Sequence, residues 1–542
     1  VKRLLTLLGL AFLPVLVLGV FFVLPVSGML GEGLWSSGRF APGAAWEVLQ
    51  RPRVLRVLWF TVWVASAATA VTLLLGIPTA YALHRLRIPG RGALRAAFLV
   101  PFVLPTIVVG IAFEQLVRSP ALEPLGLDGS PVTIIAAMVF FNLAVVVRTV
   151  GSAWEALDPR PGEAAAALGA SPWQVFTTAT LPALRGSIVS AASVVFLFCS
   201  TAFGVVLVLG GLRYATVETE IYLLTTNLYD LPGAAALCIL QLVVVTVLLA
   251  LAHRTRSAPA PVARRRVAPT RVTAYDVPAL LLAALGLLLV AVPIGTLVAG
   301  ALRVDGSWSL ANFRALDTVG TDSLVDVSVT QALLNSLRTA VDATWISLLI
   351  GGLVAVIVTR RSHSPAEHRL RGLLDGFFML PLGVSAVTLG FGFMITLDHP
   401  PVDLRDSPML VPMAQALVAM PLVVRTLVPV LAGIDDRQRQ AAYSLGASPL
   451  RALVTVDLAV VWKPLLAAAG FAFAISLGEF GATSFLARID HPTLPVLIYR
   501  LLGSPGQHNY GMALAASVVL ALATAAVMFL VERLRVPGVG GF

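Results

Sequence analysis

Apolar runs of about 20 residues make up most of this 542-residue chain, and the breaks between them are short and rich in Arg, Gly and Pro. That run length is what a helix needs to cross the hydrocarbon of a bilayer. Twelve helices are predicted, near 4–25, 57–83, 96–117, 132–150, 187–210, 233–252, 277–301, 333–359, 373–396, 409–430, 465–487 and 512–531. The runs do not alternate apolar and polar residues as barrel strands do. Pro101, Pro105, Pro381 and Gly390 fall inside them. Membrane helices accommodate such residues when neighbours satisfy the freed backbone groups. Residues 4–25 follow Lys2 and Arg3 and resemble a signal peptide at first sight. The run is too long for that and lacks a small-residue cleavage site, so it reads as the first span.

Composition agrees. Hydrophobic residues are 58% of the chain and charged residues 12%, about half the charge of a soluble domain. The net charge of +10 does not point to nucleic acid, because the basic residues sit in short loops between spans. Arg85, Arg87, Arg91 and Arg95 fill the loop 84–95; Arg360, Arg361, Arg369 and Arg371 fill 360–371; Arg533 and Arg535 follow the last span. The stretch 253–272 adds Arg254, Arg256, Arg264, Arg265, Arg266 and Arg271. With both termini inside, all of these face the cytoplasm, while 118–131, 302–330 and 397–408 face outward and are poorer in Arg and Lys. That asymmetry sets orientation in the inner membrane. Cys199 and Cys238 lie in apolar runs and read as packing residues. The seven histidines show no metal-ligand spacing, so no metal site is expected.

The chain is written twice. Leu168-Gly169-Ala170-Ser171-Pro172 returns 277 residues later as Leu445-Gly446-Ala447-Ser448-Pro449. At the same offset Arg148 matches Arg425, Phe203-Gly204 matches Phe480-Gly481, Thr216 matches Thr493, and Ile221-Tyr222 matches Ile498-Tyr499. Upstream the offset is 280, pairing Pro101 with Pro381 and Gly110 with Gly390. The predicted organisation is a first half at 1–252, a solvated Pro/Ala/Arg linker at 253–272 and a second half at 273–542. The linker arginines are also expected to rest against anionic lipid. Six spans per half make the repeats parallel, related by an axis along the membrane normal. The fold class is therefore an all-α polytopic membrane protein of two six-helix repeats.

Each copy of the repeated phrase lies in a polar loop, 155–185 or 433–463, before the fifth span of its half. Glu163, Ala164 and Ala165 begin a helix-favouring segment. Gly169 suits the left-handed end of that helix. Ser171 and Pro172 suit the cap and first position of another. Gln440, Ala441, Ala442, Gly446, Ser448 and Pro449 repeat the pattern. Each loop is expected to be a helix–glycine–helix elbow, able to carry force between a soluble partner and the membrane.

The motif, EAA then three residues, Gly, nine residues, Ile, one residue and Leu-Pro, resembles the coupling motif of permease subunits of bacterial ATP-binding-cassette importers. The first copy keeps Glu163, Ala164, Ala165, Gly169, Leu181 and Pro182, with Ala179 for Ile. The second keeps Ala441, Ala442, Gly446 and Leu458, and departs at Gln440, Val456 and Ala459. The resemblance extends over both halves. It implies the type I importer permease fold, two cytoplasmic ATPase subunits that use ATP and Mg, one at each elbow, and an extracytoplasmic solute-binding protein. No phosphate-cradling GxxxxGK[ST] loop occurs, so this chain is expected to bind no cofactor and to be no enzyme. A twelve-span secondary transporter driven by protons or sodium is the alternative, but it has no need of a duplicated elbow.

Fused double permeases of this family resemble those of thiamine and ferric-iron importers. Phe140-Phe141-Asn142-Leu143, Leu209-Gly210-Gly211, Thr216-Val217-Glu218 and Ser476 to Gly481 resemble the thiamine branch, while ferric iron stays open. Both solutes are cations. Glu479, read as lying within the eleventh span with Ala202 as its counterpart, is the candidate pathway carboxylate; a structural hydrogen-bonding role is the alternative. Asn142 lines the same route or bonds a neighbouring helix. Asp342 and Glu114 are weaker candidates. Tyr222 and Tyr499, in the outer segments 212–232 and 488–511, are expected to lie on surfaces under the two lobes of the binding protein; a plain packing role is the alternative.

Overall fold

The structure is a computed structural model that describes all residues except 1, 37–38, 212, 256–268, 320–326, 361, 363, 400–401 and 535–542. Most of the linker, with Arg256, Arg264, Arg265 and Arg266, and also Arg361 and Arg535, therefore lies outside the described residues. Among the described residues ten helices are long and apolar enough to cross a bilayer. They are Leu7–Leu34, Pro52–Arg85, Pro131–Ala156, Pro172–Ser200, Leu231–Leu248, Ala274–Ala301, Val329–Thr359, Leu410–Ala432, Leu450–Gly478 and Gln507–Val531.

The other two predicted spans are broken. The run 96–117 is two helices, Arg91–Val103 and Thr106–Val117, bent by 104°. Leu104 precedes Pro105, and steric pressure from the proline ring drives it out of the helical region to ψ 135°. In the second half the run 373–396 breaks without a matching proline. Pro365–Met379 passes into a 3-10 turn, Leu380–Gly383, and Ser385 then caps Ala386–Thr396 by accepting from the Thr388 amide at 3.1 Å. Both short helices meet a neighbour closely through a glycine in mid-helix. A Cβ on Gly390 would lie 2.8 Å from the Ala482 backbone, and one on Gly110 would lie 2.9 Å from the Val208 side chain.

The fifth and eleventh spans also differ from expectation. They begin inside the elbows and stop early, at Ser200 and Gly478. The residues assigned to their outer ends form separate short helices, Gly204–Gly210 and Thr483–Leu486. Each of these spans carries a π-turn, Phe176–Thr180 or Leu453–Leu458, between its elbow part and its membrane part.

By packing, the helices group into two compact units, and neither is a simple half of the sequence. One holds Val1–Trp46, Ile221–Ile239 and the described part of the chain from Val304 onward; the other holds Glu47–Glu220 and Leu240–Arg303. In the first unit the opening span buries Leu7, Ala11, Leu18 and Phe22 among Ile346, Ile350, Val354 and Phe393 of the second half. In the second unit Val277–Ala301, the first span of the second half, packs on Pro52–Arg85 and Thr106–Val117. Gly286 lies against Leu143, Phe98 and Thr79 there. Each half thus lends its first span to the helices of the other.

The end of the linker is bonded to the first half. The Thr270 amide donates to the Arg85 carbonyl and the Arg87 amide donates to the Thr270 carbonyl, both at 2.8 Å. Asp276, nearly buried, accepts from the Tyr81 hydroxyl and from the Thr273 amide and hydroxyl, each at 2.8 Å. The loop arginines also close helix ends. Arg95 donates to the Leu83 carbonyl and pairs with Glu155 at 2.8 Å. Arg371, 276 positions on, donates to the Ile357 carbonyl and pairs with Glu367 at 2.7 Å. A cation on the free carbonyls of a helix C-terminus is stabilising.

Asp276→Ala removes the acceptor of the half-buried Tyr81 hydroxyl and of the exposed Thr273 amide and hydroxyl, at a cost of about 0.5–1.5 kcal/mol. The expected outcome is a lower melting temperature of the detergent-purified chain. Tyr81→Phe should destabilise the wild type and add little to Asp276→Ala. Additive effects of the two substitutions would show that the bond contributes nothing.

Candidate functional site

The two predicted elbows are both present and are built alike. In the first, the helix Arg160–Ala167 ends at Gly169, whose φ of +88° is the left-handed conformation glycine adopts without a Cβ penalty. The Ala170 amide reaches back to the Ala165 carbonyl at 3.1 Å, and the Gly169 amide to that of Ala166 at 3.0 Å. This satisfies carbonyls that the helix end leaves free. Ser171 then caps the next helix: its hydroxyl accepts from the Gln174 amide at 3.3 Å, and the Gln174 side chain accepts from the Ser171 amide at 2.8 Å. Pro172 takes the first helical position.

In the second elbow Asp436–Ser444 ends at Gly446, with φ +82°. The Ala447 amide bonds the Ala442 carbonyl at 3.0 Å, and the Ser448 hydroxyl accepts from the Arg451 amide at 3.3 Å. Glu163, Ala164, Gln440 and Ala441 are exposed, with Ala165 and Ala442 half-buried beside them. The second arm of each elbow continues, through its π-turn, into a helix long and apolar enough to span the bilayer, Pro172–Ser200 or Leu450–Gly478.

Sequence reasoning missed the apolar knobs. Leu168 is 90% exposed and its counterpart Leu445 88%; Trp173 and its counterpart Leu450 are each 71% exposed. Large side chains are thus exposed at matched positions on both elbows. Their signal in the sequence was their position in the repeated phrase, not their type.

It missed the supports of the elbows as well. Behind the first, rings stack from Tyr81 to Trp154 to Phe176 to Trp173, with centroids 5.2, 6.2 and 5.6 Å apart. Behind the second, Asp457 accepts from Arg439 at 2.7 Å and from Arg360 at 2.5 Å, and Arg439 also reaches Asp436 at 2.7 Å. Burial alone would lower the pKa of Arg439, but the hydrogen bonds it donates to Asp457 and Asp436, with the charges of those carboxylates, outweigh it and hold the guanidinium above its usual range.

Glu479 is not inside a span; it follows the last residue of Leu450–Gly478 with extended backbone, ψ 125°. It is 7% exposed. Its two carboxylate oxygens accept from the Ala482 amide at 2.7 Å and the Thr483 amide at 3.1 Å. Asn142 is buried in Pro131–Ala156 and donates to the Met138 carbonyl and the Cys199 sulfur, while its Oδ1 has no partner among the described residues. Gln415, in the matching helix of the second half, is buried with its Oε1 in the same condition. Glu114 pairs with Arg118 at 2.9 Å, and Asp342 accepts from the Trp345 ring nitrogen at 3.3 Å.

Tyr222 and Tyr499 were expected on two separate surfaces, but they meet. Their rings pack edge to face at 6.5 Å, Tyr222 also against Phe485 at 5.5 Å and Tyr499 against Phe480 at 5.6 Å. Both tyrosines are half-buried. Among the described residues no group of three or more His, Cys, Asp or Glu side chains is placed to hold a metal.

Comparison with known proteins agrees with this architecture. The family described as "Binding-protein-dependent transport system inner membrane component" matches twice, at residues 72–256 and 347–536. The thiamine transport system permease protein ThiP of Escherichia coli (strain K12) is 30% identical over 485 residues, covering 86% of this chain and 87% of that protein. ThiP of Brucella abortus (strain 2308) is 28% identical over 497 residues, 88% of this chain and 87% of that protein. A probable ABC transporter permease, y4fN of Sinorhizobium fredii, is 25% identical over 554 residues, 95% and 94% of the two chains. With the motif present in both halves, and each copy on a helix that enters the membrane, the chain belongs to the inner-membrane permease family of binding-protein-dependent ATP-binding-cassette importers, in fused double form.

Proposed function

We propose that this permease imports thiamine, handed over outside the cell by a binding protein and moved at the expense of ATP hydrolysed by two cytoplasmic ATPase subunits, one per elbow. The observation that carries the coupling is the pair of elbows, each presenting matched exposed side chains and each continuous with a membrane span. A partner that grips Leu168 and Trp173, or Leu445 and Leu450, holds the end of a rod whose other end is in the bilayer. The two rods are favoured in one of two preexisting arrangements by ATP and by the loaded binding protein. The proposed orientation puts both termini, the arginine-rich loops and the elbows in the cytoplasm. The solute rests on the two relatives named for thiamine; ferric iron is the second cation the sequence left open.

In this reading Glu479 is the carboxylate that favours a cation at the break between Leu450–Gly478 and Thr483–Leu486. The unpartnered Oδ1 of Asn142 offers a further acceptor along the same route. The outer helices Val217–Thr226 and Leu494–Gly503, which carry Tyr222 and Tyr499, are the proposed landing surface of the binding protein.

Reconstituted with its ATPase and binding protein, the permease is expected to accumulate labelled thiamine in vesicles only with ATP. Accumulation of ferric iron and not thiamine would overturn the choice of solute and leave the coupling intact. Gly169→Val and Gly446→Val force a β-branched residue into the left-handed region, at about 1–2 kcal/mol each, or roughly a tenfold shift in elbow population. Transport should fall accordingly for both, while the variants still insert and purify. Glu479→Gln keeps the shape of the cap and removes the charge; uptake should fall several-fold with ATP turnover retained. Unchanged uptake in that variant would leave Glu479 as a cap alone.

A further inference from the structure

The two elbows have the same backbone, yet they are braced by different chemistry at matched positions. In the first half the brace is aromatic. Tyr81 of Pro52–Arg85 packs on Trp154 of Pro131–Ala156, which packs on Phe176 of the π-turn, which packs on Trp173 of the elbow. At the 277 offset the second half has Leu431, Leu450 and Leu453 where the first has Trp154, Trp173 and Phe176. In the second half the brace is ionic. Arg360, at the end of Val329–Thr359, holds Asp457 of the π-turn; Asp457 holds Arg439 of the elbow's first arm; Arg439 holds Asp436 and, at 3.3 Å, the Leu431 carbonyl of Leu410–Ala432. The first half has Gly162, Thr180 and Pro159 at the places of Arg439, Asp457 and Asp436. The first half has its own ion cluster, His84 and Arg95 on Glu155 at 3.0 and 2.8 Å, but it joins the ends of membrane helices and among the described residues does not reach the π-turn or the first arm of the elbow. Both braces join two membrane spans, the π-turn and the elbow.

The ionic brace is the stiffer in direction. Asp457 is 2% exposed and Arg439 7%. A buried carboxylate with two guanidinium partners fixes both distance and angle, and losing one partner leaves charge uncompensated in a dry site. Stacked rings fix separation but slide more readily, since offset and tilted arrangements are close in energy.

We infer that the two elbows are not equivalent couplers: Asp457, Arg439 and Arg360 are positioning residues that lock the π-turn and first arm of the second elbow to its spans, while among the described residues the matched π-turn and first arm of the first elbow have no such ion pair and its π-turn rests on the ring stack. The functional half of this inference rests on the ATP-driven importer reading above; the structural half does not. Two readouts keep them apart. Hydrogen exchange on the purified full-length permease needs no partner. Asp457→Asn is expected to speed exchange of amides in 436–458 and to leave 160–180 unchanged. Thr180→Ala, at the matched position, should change neither. In vesicles with the ATPase and binding protein, Asp457→Asn and the milder Arg360→Gln should lower solute imported per ATP hydrolysed by about tenfold while hydrolysis continues, and Asp457→Glu should restore the ratio. Arg360 is about a quarter exposed, so Arg360→Gln perturbs folding less and keeps the test open if Asp457→Asn does not fold. Unchanged exchange in 436–458, or the same loss of coupling from Thr180→Ala, would overturn the inference.

Discussion

The structure depends on a helix that does not stop at the edge of the membrane. In hydrocarbon every backbone amide and carbonyl must be bonded within the protein, and a continuous helix meets that demand at every residue. Pro172–Ser200 and Leu450–Gly478 carry the pattern out of the apolar region and into the elbow. A displacement at Trp173 or Leu450 is then a displacement of the whole rod, because bending it would break the same bonds that let it sit in the bilayer. Each rod has a π-turn, and the second also carries Pro464 inside its helix. Each π-turn shifts the register of side chains between the elbow and the membrane part, and each is where the brace attaches, at Phe176 in one half and Asp457 in the other. π-turns within α-helices recur at functional sites for this reason.

The exchange of first spans places a second constraint on the rods. Leu7–Leu34 packs among second-half helices, and Val277–Ala301 among first-half helices. Each compact unit therefore contains chain from both sequence halves, and separating the halves would expose apolar surface in both units. The short zipper between Thr270 and residues 85–87, with Asp276 against Tyr81, fixes where the second half starts. The linker is thus held at its exit, which its composition did not indicate.

Much of this was legible in the sequence, and the gaps have physical reasons. The repeat placed both elbows to the residue, because glycine with positive φ and a Ser-Pro cap are demanded by local backbone geometry that the sequence alone encodes. The breaks were half legible. Pro105 announced one, but its counterpart depends on the Ser385 cap, whose effect cannot be read without knowing that the chain has turned. Glu479 was misplaced because apolar run length does not show where a helix ends; Glu479 to Ala482 lies between two helices, and the carboxylate accepts from the amides that open the second. The exchanged first spans were invisible, since Val277–Ala301 is apolar on every side and so names no partner. The ionic brace was missed for a subtler reason. A repeat is found by what its copies share, and Arg439 and Asp457 stand opposite Gly162 and Thr180.

That last point bears on why the two halves are one chain. A permease assembled from two identical subunits must carry the same residues at both elbows, so a change that suits one partner contact is imposed on the other. Fusion removes the requirement. Once Leu431, Leu450 and Leu453 stand where Trp154, Trp173 and Phe176 stand in the first half, the ring stack is gone from the second elbow. A buried acid at 457 is tolerable only with cations on two sides, and Arg360 and Arg439 supply them from different elements. The substitutions make sense as a set: the acid needs both arginines, and the arginines, buried or nearly so, need the acid. Such a set can be kept in one half while the other half lacks it. The conserved backbone of the elbows, against the divergent braces behind them, separates what the fold requires of both from what each is free to change.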